Sequence, residues 1–531
     1  MLVLVVCSGA IATCARAADE PNDLGPVVAL SPYEVTAASA EFEDWIKVGS
    51  PNFIVYTDAR AKDALTILQQ LEMLHFTVQA FFGRRSIVRA PSIVVLPTAR
   101  SDWRKVQAKG GVEWRVAMSN PGGRVVNLLV AQYDWQTDGL DLVWSTAASS
   151  EVRALNIDMA FWFARGLASF FETAFFTNDS VKIGRLSARA VLLRTEGWME
   201  WPRLFAVDFT SPEFVRDNNT MRQYEGQCAA FVQYLLANPD PVWMPRLLGW
   251  NAALNAGREP TEELFKAAFE QTWAEWTKTM QEYSQRGRYN VVTLAFPDAV
   301  RDVRRTQLGL TTTEMRELFV LTQILNQRVP ASDEALAAIL ARGLKTDALR
   351  ELLVEACYSR KCPDDALTHL RELIAAGSQN PAVFARAAER LFDHQVPDEP
   401  SAHDRIDAET KTQIQTWCRQ ALALEPLFVD ANDMLALADA LGPDVSADDL
   451  AEIGRICRTL DGNGNTQWSI TALALARWRA GHYESARKAC RRLLDSLFSS
   501  ERVRTLARQV LGELPPASVP AEASVSGAPS S

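Results

Sequence analysis

The stretch FWFARGLASFF, residues 161–171, is apolar except for one full charge, which belongs to Arg165. Histidine, which both binds metals and transfers protons, is absent around it. The chain contains five histidines, and none of them lies between residues 76 and 368. They are His75, His369, His394, His403 and His482. Neighbouring positions in this part of the sequence therefore supply neither a histidine metal site nor a serine with a histidine base.

The composition is that of an ordinary globular protein, with 48% hydrophobic and 23% charged residues among 531. A chain of this length is predicted to form two or more domains. The formal net charge of −10, without a long basic run, argues against nucleic acid as a partner. No stretch after the N-terminus reaches about 18 uninterrupted apolar residues, so we expect no transmembrane segment in the mature chain.

The N-terminus has the pattern of an export signal. MLVLVVCSGAIATCARAADE starts with an apolar run, and residues 15–17 (Ala-Arg-Ala) fit the small-x-small cleavage rule. We predict a signal peptide at 1–17, a flexible linker at 18–44, and export to the periplasm or envelope. A lipid anchor at Cys14 is the less favoured alternative, because Thr13 fits such a motif poorly.

Short strands and one long helix are predicted after the linker. Strands are expected at 53–57, within 91–97 and within 123–131, bounded by turn residues. Apolar residues at helical spacing between 65 and 81 predict a helix. These elements should form a small mixed sheet with the helix against it. The region from about 140 to 285 is predicted to be mainly helical, with one long amphipathic helix across TEELFKAAFEQTWAEWTKTMQEY.

Beyond residue 310 the pattern changes to helix pairs. GHYESARKACRRLL (481–494) has Gly481 for a turn, Tyr483 to pack and Ala486 for close helix approach. CPDDALTHLRELI follows the same plan. These segments resemble tetratricopeptide-type repeats, which implies an all-α repeat domain at 310–515 with a concave face for a protein partner. The Pro/Ala/Ser-rich tail, 516–531, is predicted to be disordered.

Three stretches resemble the gluzincin, or peptidase MA-like, metallopeptidase families. They are WIKVGSPNFIVYTD, FWFARGLASFF with VKIGRL behind it, and YEGQCAAFVQYLLAN. The resemblance covers about residues 45–285. It implies an α+β domain at 45–300, built from a small mixed sheet and helices.

Active members of those families carry His-Glu-x-x-His on one helix, where two imidazoles hold zinc and the glutamate activates water. A third ligand, also a glutamate, follows on the next helix. The resemblance places Arg165 at that third position and Ser-Thr-Ala-Ala-Ser at the His-Glu-x-x-His segment. The degenerate-site positions are Ser145, Thr146, Ser149 and Arg165. Serine and alanine cannot replace imidazole, and a guanidinium cannot coordinate a cation, so we expect neither metal, cofactor nor peptidase activity.

Arg165 inside a fold needs a compensating carboxylate. Glu151, Asp158 and Glu172 are close to it in sequence, and we predict that one such as Glu151 or Glu172 pairs with it. His75, on the long N-terminal helix, is predicted to be a partly buried helix residue and not a base.

An alternative is a metal-independent hydrolase that acts on peptide or cell-wall material in the old cleft. A serine nucleophile would need a base within hydrogen-bond reach. The candidate groups are Ser145, Ser149, Lys182, Glu151 and Glu172.

Aromatic residues suggest a binding alternative. Seven tryptophans fall in the first domain: Trp103, Trp114, Trp135, Trp144, Trp162, Trp198 and Trp201. A cleft lined by Trp144, Trp162 and Tyr224 would hold a peptide or glycan, whereas tryptophans are more often part of a core. Cysteines are mostly expected in the core as well, although Cys357 and Cys362 are close enough in sequence to pair.

The expectation that best combines these patterns is an exported, non-catalytic protein. A pseudo-metallopeptidase domain would be joined to a helical-repeat domain that binds another protein.

Overall fold

The computed structural model describes residues 42–82, 90–99, 116–118, 126–131, 140–154, 159–187, 190–191, 193–194, 197–207, 218–255, 258–285, 289–325, 349–359, 363–396, 401–460, 467–495 and 501–515. The chain divides into two compact units, with the division between Arg386 and Ala387. The predicted signal peptide and C-terminal tail lie outside the described residues, as does the predicted linker up to residue 41; the last three residues of that linker are described, and Phe42 is buried.

The first unit contains a six-stranded mixed sheet near the N-terminus. Its strands are β1 (Ile46–Gly49), β2 (Phe53–Thr57), β3 (Ser92–Leu96), β4 (Val116–Met118), β5 (Leu128–Ala131) and β9 (Thr306–Leu308). The spatial order is β4-β5-β3-β2-β1-β9. β2, β3 and β5 are parallel, and the outer pairings are antiparallel. The prediction of a small mixed sheet is confirmed, and β9 adds a strand from beyond residue 300.

Helices surround this sheet and extend the first unit. They are α1 (Ala61–Phe82), α2 (Leu140–Ala154), α3 (Phe161–Phe171), α4 (Trp201–Ala206), α5 (Asn218–Leu236), α6 (Trp243–Asn255), α7 (Glu262–Phe269), α8 (Trp273–Gln285), α9 (Asp298–Arg301), α10 (Thr312–Leu325), α11 (Arg350–Ser359) and α12 (Pro363–Ala375). A second, three-stranded sheet has the order β6-β7-β8. Its strands are β6 (Phe175–Phe176), β7 (Ser180–Ile183) and β8 (Val292–Ala295).

The two faces of the large sheet are covered by different helices. Successive side chains of a strand point to opposite faces. On one face Phe53 packs its ring edge to face with His75 of α1, at 6.3 Å between ring centres. On the other face the Tyr56 hydroxyl donates to Glu314 Oε1 of α10 at 2.6 Å. Lys47 Nζ donates to the same oxygen at 2.8 Å, so a buried ion pair fixes α10 to the sheet.

The prediction of a single long helix over residues 261–283 is wrong, because this segment forms two helices, α7 and α8. Glu270 ends α7 with a left-handed backbone, at φ 61°. The break turns the second helix back, so that Phe265 of α7 and Trp273 of α8 lie 4.0 Å apart between ring centres. Apolar periodicity alone continues through the break, since both helices bury aromatic residues.

The second unit is built from helices in its described part. After α13 (Pro381–Asp393), within which the two units divide, these are α14 (Ala408–Leu424), α15 (Val429–Leu441), α16 (Ala447–Leu460), α17 (Gln467–Arg479), α18 (Tyr483–Asp495) and α19 (Glu501–Glu513). α15 packs against α14, α16 and α17, and α17 packs against α18 and α19. Each helix therefore contacts its neighbour in sequence, and alternate helices stack on each other. A mostly helical C-terminal region is confirmed.

The Gly-x-Tyr-x-x-Ala segment folds partly as expected. Gly481 adopts φ 77° at the turn between α17 and α18, and Ala486 is fully buried. Tyr483, which was expected to pack, is instead 42% exposed at the start of α18. Among the described residues, no helix is both long and apolar enough to cross a membrane.

Candidate functional site

Arg165 lies on α3 at the border between core and surface. Its neighbours Trp162 and Leu167 are buried, while its own side chain is 29% exposed. Its Nη1 lies 3.5 Å from Oε1 of Glu225, which is on α5 and 17% exposed. The guanidinium carbon also lies 5.2 Å from the ring centre of Phe161. Arg165 therefore links α3 to α5 through an ion pair and a cation–π contact.

Gly166 lets α3 and α5 approach each other closely. A Cβ at this position would lie 2.4 Å from Cγ2 of Val232 and 2.5 Å from the backbone oxygen of Cys228. Neither distance is compatible with a side chain, so the backbones meet here only because the residue is glycine. One turn away, the rings of Phe161 and Tyr224 stack at 5.7 Å between centres. The residue after Arg165 is thus a packing residue of this helix pair.

Tyr224 and Cys228 are buried within the α3–α5 interface. Burial raises the pKa of the Tyr224 phenol far above its ordinary value, and it also raises the pKa of the Cys228 thiol. Both groups are therefore neutral near pH 7. A nucleophile needs the opposite shift, toward the ionised form, so this pair is suited to packing.

One carboxylate beside Arg165 belongs to Glu225, which is not among the neighbours in sequence that we expected. Glu151, which we expected as a partner, lies on α2 and bonds His75 instead. Glu172 caps the C-terminus of α3, with its backbone N–H donating to the Ala168 oxygen. Sequence reasoning missed Glu225 because it is far away along the chain. The available signal was the position of Glu225 directly after Tyr224, in one of the three stretches that resemble gluzincins.

His75 and Glu151 form a buried pair between α1 and α2. Nδ1 of His75 lies 2.6 Å from Oε2 of Glu151, and the Gln79 side-chain amide lies 2.6 Å from its Nε2. Burial lowers the pKa of His75, but the charges of Glu151 and Glu72 and the Glu151 hydrogen bond outweigh burial and raise it. Both ring nitrogens are engaged, so the imidazole is held in place and is not directed at a substrate.

A small cavity of about 10 Å³, partly open to solvent, lies between the large sheet and α2. Thr146, Ser150 and Glu151 line its helical wall, and Asn127 lies opposite, beside β5. Asn127 Oδ1 and Ser150 Oγ are buried and have no hydrogen-bond partner within the described residues. Two unpartnered polar atoms on opposite walls suit a bound water, while the rest of the lining is mainly apolar.

The groups named for a hydrolase do not converge in the described residues. Glu151 is committed to His75, whereas Lys182 is exposed on β7, with its Cα opposite that of Phe175. Ser145 and Ser149 belong to α2, but their side chains lie outside the description, as does Asp158 altogether.

The aromatic residues proposed for a cleft are part of the core. Trp144 packs against Phe176, with 5.3 Å between ring centres. Trp162 lies 5.2 Å from Phe205 between ring centres, edge to face. Trp144, Trp162 and Tyr224 are all buried, so none of them presents a ring to a peptide or glycan. Trp103, Trp114 and Trp135 lie outside the described residues.

In the part of the chain that the structure describes, no three His, Cys, Asp or Glu side chains are grouped to hold a metal ion. Cys228, Cys418 and Cys490 are buried free thiols, and Cys457 is a half-buried one. Cys357 is buried, and Cys362 lies outside the description.

No family model, curated protein or solved structure matches the chain. The resemblances to gluzincins and to tetratricopeptide repeats therefore stay predictions from the sequence.

Proposed function

We propose that this chain is an exported, non-catalytic binding protein. Its first unit is a gluzincin-like domain that has lost its metal site, and its helical unit, built of tetratricopeptide-like pairs, binds a partner protein. Export itself rests on the signal pattern at residues 1–17.

The observation that carries the non-catalytic half is the environment of Arg165. At the position where the resemblance expects a zinc-binding glutamate, a cation is held by Glu225 and by the Phe161 ring. A metal ion beside this guanidinium would meet repulsion between like charges. Next to this position, Gly166 brings the two helices into close contact.

Metal analysis of the purified full chain tests this half. We expect zinc far below one equivalent and no cleavage of unfolded protein substrates. The matched variants are Glu151→Gln, in the cavity wall, and Glu263→Gln, on the exposed face of α7. Stoichiometric zinc that Glu151→Gln removes and Glu263→Gln retains would overturn the proposal.

The binding half is supported by the stacked helices of the second unit. Stacking of alternate helices leaves extended surfaces on which a partner chain can lie. Leu427, in the connection between α14 and α15, is 48% exposed, so its side chain is accessible to a partner. It marks one place where a partner would bury apolar surface.

Site-specific photocrosslinking tests the binding half. A photoreactive residue at Leu427 should capture a discrete protein in cells, whereas one at Glu263, exposed on the first unit, should not. Capture at Glu263 alone, or no discrete product at either position, would contradict binding through the helical unit. The hydrolase alternative has no comparable support, because Glu151 bonds His75 and Lys182 is exposed on β7.

A further inference from the structure

The C-terminal helices carry a charge opposite to that of the whole chain. Residues 477–508 contain nine Lys or Arg and three Asp or Glu, although the formal net charge of the protein is −10. This concentration falls on α17, α18 and α19. Such a reversal of local charge creates a positive potential on an otherwise acidic molecule.

α18 separates apolar from basic residues around its axis. Ala486, Cys490 and Leu493 are buried against neighbouring helices. Lys488 and Arg491 are exposed on the opposite side, three positions apart and therefore adjacent on one helical face.

The basic face has little internal compensation. Lys488 and Arg491 have no carboxylate within ion-pair distance among the described residues, in contrast to Arg487, which lies 3.7 Å from Glu484. On α18, four basic residues (Arg487, Lys488, Arg491 and Arg492) outnumber the two acidic ones, Glu484 and Asp495, so the helix keeps a net positive charge.

We propose that the face of α18 formed by Lys488 and Arg491 binds an acidic segment of a partner polypeptide. This inference rests on the proposed binding function and names the chemistry of its partner. The helix has 13 residues and is about 20 Å long. An extended acidic segment of about six residues spans that length at about 3.3 Å per residue.

Charge favours a polypeptide over a nucleic acid or a membrane. Strong binding to nucleic acid requires many phosphate contacts over a broad basic surface, and this face is a single helix. The net charge of −10 repels a polyanion or an anionic bilayer at long range, whereas a short acidic segment meets mainly the local positive field.

The test uses the full chain and a fluorescein-labelled peptide of alternating glutamate and serine, about ten residues long. We expect binding that weakens with added salt, and a loss of about tenfold or more in Lys488→Glu/Arg491→Glu. The matched control is Lys266→Glu/Lys278→Glu, which changes the charge equally on exposed positions of α7 and α8 and should bind as the parent does. Circular dichroism checks that both variants are folded.

Equal peptide affinity of parent and Lys488→Glu/Arg491→Glu would overturn the proposal, as would tighter binding of duplex DNA or of phosphatidylglycerol vesicles. The outcome is separable from the proposed function. Crosslinking at Leu427 that persists in the α18 variant, together with unchanged peptide affinity, would retain a binding protein and reject this face.

Discussion

Buried carboxylates beside the large sheet and on α15 differ in their partners. Beside the sheet of the first unit, two of them bond a cationic or titratable nitrogen: Glu314 bonds Lys47, and Glu151 bonds His75. In the second, α15 buries Asp433 and Asp439. Burial raises the pKa of Asp433 to about 8 and that of Asp439 to about 6.

This difference predicts how the stability around each of these carboxylates depends on pH. A carboxylate with a cation beside it is compatible with burial in the ionised form. A buried carboxylate bonded mainly to neutral groups, such as Asp439 with the Gln415 amide at 2.7 Å, favours the protonated form. Substitutions in these two sets of residues should therefore change the stability in different directions and by different amounts.

The largest effect is expected from Glu314→Gln in the first unit. The substitution leaves Lys47 charged and buried. In the parent pair the side chain of Lys47 is 10% exposed and that of Glu314 is 6% exposed. Removal of one partner of a buried ion pair costs about 3–5 kcal/mol. Hydrogen exchange of β1 and β2 peptides during urea denaturation measures this loss of stability. Glu263→Gln, at an exposed position, is the control. A cost no larger than that of the control would contradict the assigned pair.

A double variant sharpens this result. In Lys47→Met/Glu314→Leu both charges are replaced by apolar groups of similar length, so no buried charge is left unpaired. Such replacements are often neutral or stabilising. We expect recovery of most of the stability lost in Glu314→Gln. A double variant that is less stable than Glu314→Gln would show that Tyr56, which also donates to Glu314, depends on the carboxylate.

The opposite sign is expected from Asp433→Asn in the second unit. The folded pKa of Asp433, about 8, lies above the ordinary value of 3.8, so the folded state binds the proton more tightly. Stability is therefore highest below about pH 4 and falls as pH rises towards 8, by at most about 1.4 kcal/mol per pH unit. At pH 8 the asparagine variant should be more stable by on the order of 2 kcal/mol.

Hydrogen exchange of α15 peptides at pH 5 and pH 8, in a urea series, measures this difference. Asp448→Asn, on an exposed position of α16, is the control. A variant that destabilises the unit equally at both pH values would show that the carboxylate is needed in ionised form.

A smaller effect is expected from Glu151→Gln on the titration of His75. Glu151 and Glu72 raise the pKa of His75 in the parent, while burial opposes them. The raised pKa stabilises the fold below the ordinary histidine value of 6.5, and this contribution is lost as pH rises through the folded pKa. Loss of the Glu151 charge should lower the His75 pKa, as seen by NMR of the imidazole carbons. An unchanged pKa would show that Glu151 does not set it.

The large elements could be predicted from the sequence because they depend on local patterns. The strands at 53–57 and 92–96 and the helix from Ala61 to Phe82 follow directly from period and turn residues. The return of β9 to the edge of the sheet could not be predicted in this way, since three residues carry almost no periodicity. The turn at Glu270 could not be predicted from the sequence either, because a glutamate at positive φ is rare.

The candidate site was predictable only in its residue types. Arg165 was recognisable as an unusual charge within an apolar helix, and a carboxylate partner followed from electrostatics. The identity of that partner depends on how α3 crosses α5, which Gly166 determines through close backbone contact. Sequence distance pointed to Glu151 and Glu172, and only the tertiary packing points to Glu225.

The smallest effect is expected at Arg165 itself. Its pair with Glu225 is partly solvent-exposed, and such pairs contribute about 0–1 kcal/mol. Arg165→Met, which keeps an unbranched side chain against Phe161, should lower stability by no more than this in urea denaturation. Arg165→Glu should cost more, because it sets a second carboxylate beside Glu225.

Arg165→Glu also tests whether only one zinc ligand is missing or the whole metal site. It restores the glutamate of the resembling families at one position, but it creates neither the two imidazoles nor the catalytic carboxylate. We therefore expect no zinc binding and no peptidase activity from it, measured by metal content and cleavage of unfolded protein. Zinc bound by Arg165→Glu and absent from Arg165→Met would mean that other ligands remain around α2. The pseudo-peptidase proposal would then fail.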